Sequence, residues 1–333
     1  MLYKWVLQLV IGLAILSGCR SNNFDVDISD IKIEQQFYRF DQELFDINKD
    51  SVWNYVPAFE EKYGAFFELY NHAVINIGGT NQMDYDDKLV YFITDPYIAE
   101  THTEVSSIFA DEKIKDEIYD AFRRYHYYFP EKEIPDIYTY ISGFNQSLVI
   151  DSTFVGIGLD KYLGTDSKYY TMLRTPLYLR YTMHPAKIPS DVVFSWGLTE
   201  FPYASQNDNL SSRMIYYGKM YVFLDAMLPN TPDSIKWGMP AQKLKWCNKN
   251  EGQMWLYLIE NKLLFSSSFK EIKRFIDDGP FTTPFSKESP ARTGQWLGYQ
   301  IVLSYLKNNN VSLQQLMEME DYQKILNESK YKP

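Results

Sequence analysis

Four histidines, His72, His102, His126 and His184, are all the imidazoles in the chain. No two stand in the His-Glu-x-x-His spacing that sets two zinc ligands on one helix face. His102-Thr103-Glu104 has no second histidine four positions on, and His184 precedes Pro185, at a helix end where its ring complements the helix dipole. A Gly-x-Ser-x-Gly elbow, a phosphate-binding glycine loop and a Cys–His pair are also missing, so neither metal nor cofactor is expected. What remains for acid–base or binding chemistry is charge in apolar surroundings. Asp160 directly follows Gly156-Ile157-Gly158, a strand end rather than a dinucleotide fingerprint, and capping is its simpler role. Lys219 lies in Met214–Asp225, which is apolar over most of a helical circumference. An isolated buried ammonium is costly, so Lys219 must snorkel or pair, with Asp191, Asp225 and Glu251 as the partners open to it. Asp277-Asp278 and Glu318/Glu320 read as solvated charge at helix ends.

A thiol carries the most specific signal. Lys4 is followed by Trp5–Leu16, apolar except for Gln8 and Gly12. That run is too short for a bilayer core of ~30 Å and has the length of a signal-peptide core. Leu16-Ser17-Gly18-Cys19 resembles a bacterial lipobox, which implies removal of residues 1–18 and lipid on Cys19. Acyl chains hold a protein on a membrane without a spanning helix. In a Gram-negative envelope, Arg20 in place of Asp favours the outer membrane. Cys247 sits beside Trp246 and reads as a buried structural thiol; with Cys19 lipidated, an intramolecular disulfide is excluded.

These residues need elements to position them. The chain is acidic, with net charge −10, a poor match for nucleic acid. Its 28 Tyr, 21 Phe and 7 Trp suit a Tyr-rich core, although Tyr also serves wet interfaces and sugar faces. Residues 19–30 are polar enough for a tether. Residues 31–333 are expected to make a single domain, with the sheet in the part up to about 165 and helices beyond. Alternation and turn residues predict strands over 31–40, 136–141, 146–151 and 153–159, with Ser142–Asn145 linking the second to the third. Helical spacing predicts 50–71, 82–94 and 99–128, the last broken near 110–113. Later helices are expected near 175–184, 190–201, 209–228, 240–247, 250–264, 269–277, 291–308 and 312–328, the last opened by a Ser312–Gln315 capping box. The fold class is α+β, helix-dominated, around a small, mainly antiparallel sheet. Gly218, and Gly294 with Gly298, predict helices packed closely on one another.

The lipobox, Gly156–Gly164, Met214–Lys219, Trp246–Glu251 with Trp255, Gly279-Pro280-Phe281 and Thr293–Gly298 occur in an order that resembles the gliding-motility lipoprotein GldB family of Bacteroidetes. The resemblance spans nearly all of the mature chain. It implies a cell-envelope lipoprotein with envelope protein partners, tied to gliding and to type IX secretion machinery, and no known catalysis. More remotely, the chain resembles thermolysin-like zinc peptidases whose metal motif is lost. Tyr217-Gly218-Lys219 then stands where the third ligand would be, and the helix around Ser190–Phe201 has Asp191 and Glu200 but no histidine. That likeness implies a degenerate zincin fold with a former cleft near Asp160, Asp191, Tyr217, Lys219, Glu251 and Trp255. The leading expectation is a non-catalytic binding or scaffold lipoprotein. The alternatives are a hydrolase using Glu251 or Asp191 with Lys219, or a glycan binder using exposed Tyr and Trp.

Overall fold

The computed structural model describes residues 24–333, so the leader 1–18 and Cys19 lie outside the described residues. Phe24 is partly buried against the core, and its carbonyl accepts from the Tyr128 hydroxyl at 3.3 Å. Of the extended stretch expected over 31–40, only β1 (Phe37–Tyr38) pairs, and α1 (Phe40–Phe45) follows at once. The helix expected from Asp50 begins later, as α2 (Val56–Leu69), because a 3-10 turn at Lys49–Asn54 capped by Asn48 comes first. α3 (Tyr85–Thr94), α4 (Pro96–Ile108) and α5 (Lys113–Tyr128) match the expected run and its break near 110–113. Asp95 separates α3 from α4: its carboxylate accepts from the Tyr97 and Ile98 amides, and Pro96 takes the first helical position.

The sheet departs from expectation. β2 (Asp136–Tyr140), β3 (Leu148–Ile150) and β4 (Phe154–Gly158) join β1 in the order β1-β2-β4-β3. β1 is parallel to β2 and β2 is parallel to β4; only β3 runs antiparallel, against β4. The sheet is therefore mixed rather than mainly antiparallel. β2 and β3 do not pair, and Ser142–Asn145 is no hairpin turn. Gly143 and Phe144, at φ +66 and +63, turn the chain aside, and β3 runs along the far edge of β4. The tight turn lies between β3 and β4, closed by the Asp151 amide on the Phe154 carbonyl at 3.0 Å. Gly158 is required there because a Cβ would overlap the Gln146 carbonyl.

The remaining helices are α6 (Lys168–Met172), α7 (Leu177–Arg180), α8 (Ile188–Glu200), α9 (Leu210–Met227) and α10 (Asp233–Lys236). They continue as α11 (Ala241–Glu260), α12 (Phe269–Ile276), α13 (Thr293–Asn308), α14 (Leu313–Glu318) and α15 (Tyr322–Ser329). Two boundaries differ. The helices expected over 240–247 and 250–264 are continuous as α11, which Gly252 does not interrupt. The one expected over 312–328 opens with the capping box but breaks after Glu318, and Asp321 caps a new start by accepting from the Lys324 amide at 2.9 Å.

α9 is the hub. It is buried around nearly its whole circumference, as its composition requires, and α5, α8, α13 and α15 pack against it. α13 approaches closest. A Cβ on Gly298 would overlap the Met214 carbonyl, and one on Gly218 would overlap the Gly298 backbone. The buried apolar residues form a continuous cluster from Phe40 to Ile325, and much of the tyrosine excess sits in it, Tyr70, Tyr125 and Tyr305 among others.

Alanine at either glycine of this crossing should lower unfolding free energy in denaturant titration by about 1–3 kcal/mol or more, through forced helix separation. Gly252→Ala is the control: its Cβ meets nothing within 4 Å, so alanine should stabilise α11 by roughly 0.5–1 kcal/mol.

Candidate functional site

The register of the parallel pair creates the candidate site. Tyr140 lies opposite Gly158, so two residues further on Ser142 comes beside Asp160 at the carboxyl ends of both strands. Asp160 is fully buried, and its carboxylate accepts from the Ser142 amide (3.0 Å), the Ser142 hydroxyl (2.9 Å) and the Phe144 amide (2.5 Å). The Ser142 hydroxyl accepts in turn from the Asn145 amide at 3.0 Å. Burial raises the Asp160 pKa, and the bonds from Ser142 and Phe144 oppose that rise. The capping role is what the structure displays: a buried carboxylate holds two consecutive left-handed residues in place.

The loop so held forms one wall of a groove of about 970 Å³. Residues 74–77, α3 and the start of α4 form the rest. Asn145 bridges the walls by donating to the Val74 carbonyl at 2.8 Å. Apolar surface comes from Ile75, Phe92, Ile98 and Phe144, with Tyr91 at the edge, 76% exposed. Asp84, Asp87 and Asp95 add charge. The one lysine among the lining residues, Lys88, is tied to Asp84 at 2.9 Å and to Gln82 at 3.3 Å. An acidic groove with apolar and aromatic walls suits a cationic ligand carrying apolar groups.

The other residues singled out in the sequence lie elsewhere. Asp191, in the first turn of α8, pairs with Lys187 at 2.8 Å and accepts from the Tyr162 hydroxyl at 3.0 Å. Glu251 accepts from the Tyr331 hydroxyl at 2.7 Å, and Trp255 meets the same ring edge-on at 5.2 Å. Glu251 and Trp255 thus converge, on the chain's C-terminal segment. Tyr217 is half-buried against Tyr216, with ring centroids 5.3 Å apart. Lys219 pairs with none of the three carboxylates considered for it. It donates to the carbonyls of Met317 (3.1 Å) and Met319 (2.5 Å) and stands over the Tyr322 ring. The break between α14 and α15 frees those carbonyls, so the Lys219 amino group serves as their donor at the C-terminus of α14. Asp225 is engaged by Lys236 and by the Tyr299 hydroxyl at 2.6 Å. Glu200 on α8 accepts from Tyr125 (2.9 Å) and Lys132 (2.8 Å). Cys247 is buried, and burial pushes its thiol up to about 12. Among the described residues, no three His, Cys, Asp or Glu side chains are placed to share a metal ion, and no helix is long and apolar enough to cross a membrane.

Sequence reasoning overlooked the groove residues. One signal was available: Asp84, Asp87, Lys88 and Tyr91 recur at three- and four-residue spacing along one face of α3. The contribution of Ser142–Asn145 depends on the strand pairing and had no local signal.

Residues 21–333 match the family model described as gliding motility protein GldB, and the chain belongs to that lipoprotein family. Comparison with curated proteins and with solved structures finds no match.

Lys219 generates a pH test. Burial lowers its pKa from 10.5 to about 7. Between those values the unfolded chain binds the extra proton, so the contribution of Lys219 to stability rises with pH from about 7 upward. The destabilisation caused by Lys219→Met should therefore be larger at pH 9 than at pH 7, by at most about 1.4 kcal/mol per pH unit. Denaturant melts of both proteins at the two pH values measure it; a difference independent of pH would contradict the lowered pKa of Lys219.

Proposed function

We propose that this GldB-family chain is a non-catalytic binding or scaffold component of the cell envelope. Lipid on Cys19 holds it to a membrane, in the outer membrane by the Arg20 criterion, and the groove between α3 and Ser142–Asn145 takes its partner. The partner is a cationic segment with apolar side chains, carried by an envelope protein of the gliding or type IX secretion type. The observation that carries the reading is the charge of the groove: three carboxylates, Asp84, Asp87 and Asp95, line it against one lysine, and because Lys88 pairs with Asp84 the excess is the two charges of Asp87 and Asp95. The catalytic alternative has less support, because Lys219, Asp191 and Glu251 are each engaged by separate partners. A degenerate peptidase-like core is the remoter part of the reading. In its favour, α8 and α9 pack side by side, and Glu200 is taken up by Tyr125 and Lys132.

A photo-crosslinking side chain at position 91 in intact cells tests the groove. It should give a discrete protein adduct that Asp87→Lys abolishes, while the purified variant melts within about 0.5 kcal/mol of the parent, as an exposed substitution should. An adduct of undiminished yield in Asp87→Lys would remove the groove from the binding function.

A further inference from the structure

Residues 165–182 leave the body of the protein and return to it, closed at the base by the Gly164 amide on the Met183 carbonyl at 2.9 Å. Such a compact excursion with joined ends is an Ω-type loop. Its floor is firm: Tyr170 is fully buried, donates to the Asp160 carbonyl at 3.0 Å and accepts from the Leu163 amide at 2.8 Å. Its outer surface is unusual for a chain of net charge −10. Met172, Leu173 and Leu177 are 59%, 55% and 77% exposed, and Tyr178 is 37% exposed. From Ser167 to Ser190 there is no Asp or Glu, while Lys168, Arg174, Arg180 and Lys187 all fall there. Lys168 and Lys187 are neutralised by Glu100 and Asp191. Arg174 and Arg180 have no carboxylate partner among the described residues, and Arg180 is instead directed by the Thr175 carbonyl and the Thr171 hydroxyl.

We infer that this loop is a second membrane contact, which enters the interfacial layer of a bilayer containing anionic lipid. The inference rests on the lipid-anchor reading above. Apolar side chains and a tyrosine at a tip flanked by unpaired arginines match the chemistry of that layer: acyl-chain boundary for Met172, Leu173 and Leu177, headgroup level for Tyr178, and anionic headgroups for the guanidinium groups. Apart from Asp166 at its base, the loop carries only cations, and the exposed apolar tip is flanked by Arg174 and Arg180. The anchor makes a weak contact sufficient. Four residues lie between Cys19 and Phe24, five Cα steps that span at most ~18 Å when fully extended, so an anchor at Cys19 keeps the domain at high local concentration beside the bilayer. The contact would also orient the groove, because Tyr169 at the base of the loop packs on Phe144 of the groove wall at 5.1 Å.

The test uses the full lipidated protein in vesicles of phosphatidylethanolamine and phosphatidylglycerol. A spin label is attached through Leu177→Cys, with Gln323→Cys as an exposed control; Cys247 is buried. The label at 177 should become accessible to oxygen and shielded from a water-soluble nickel chelate, and the label at 323 should not. Arg174→Glu, or vesicles of phosphatidylcholine alone, should return label 177 to the aqueous pattern. A label at 177 as water-exposed as that at 323, on protein that floats with the vesicles, overturns the docking loop. A label shielded from both quenchers overturns it in favour of a protein cover. Protein that fails to float with vesicles overturns the anchor reading itself, and this inference with it.

Discussion

The contact on which most of the helical half depends is the crossing of α9 and α13 at Gly218 and Gly298. Without side chains there, the two backbones touch, and a helix buried on every side becomes possible. The rest of α9 follows from that depth. Its flanks are Met, Ile, Tyr, Val and Phe because other helices close over them. Lys219 is the exception, placed one residue after the crossing, where water cannot reach and no carboxylate is in bonding range. It is satisfied by backbone, and the backbone has to supply free carbonyls. That is a physical reason for the break between α14 and α15: a continuous helix over 312–328 would consume the oxygens that Lys219 needs.

A second buried charge organises the other half by the same logic. Asp160 faces three donors, two of them amides on a loop that leaves β2 through left-handed conformations. Buried as it is, the carboxyl group is stable only with those donors, and the loop keeps its left-handed turn with that group as their acceptor. The groove wall is therefore bonded directly to the end of the sheet beneath it. Its opposite wall is α3 with the acid residues Asp84, Asp87 and Asp95, the last of which caps the start of α4. Binding at such a site needs little rearrangement of either wall.

How much was legible in the sequence depended on how local the cause was. Helix positions, the capping box at Ser312 and the close approach of Gly218 and Gly298 came from spacing and residue type, which act over a few residues. Strand pairing did not. β2, β3 and β4 were visible as segments, but their order requires β4 to enter between two earlier strands, and the turn residues of Ser142–Asn145 look the same whether they close a hairpin or steer away from one. The partners of Lys219 were invisible for a different reason: backbone carbonyls carry no sequence signature, so a search among carboxylates was bound to return Asp191, Asp225 and Glu251. The expected cleft failed to assemble because Asp160, Asp191, Lys219 and Glu251 each solve a separate local problem of burial or capping.

Those separate solutions bear on function. Charged groups that already have good partners are poor candidates for chemistry, since any substrate must displace a hydrogen bond to reach them. Charges that do face solvent together are mainly acidic around α3 and mainly basic on the loop of residues 165–182, and the two surfaces are joined through Phe144 and Tyr169. The Asp160 cage holds the groove loop through Ser142 and Phe144 and the loop of residues 165–182 through Tyr170. The proposed role, a lipid-anchored domain that holds a partner near a membrane, calls for a fixed connection between the two surfaces more than for a reactive centre.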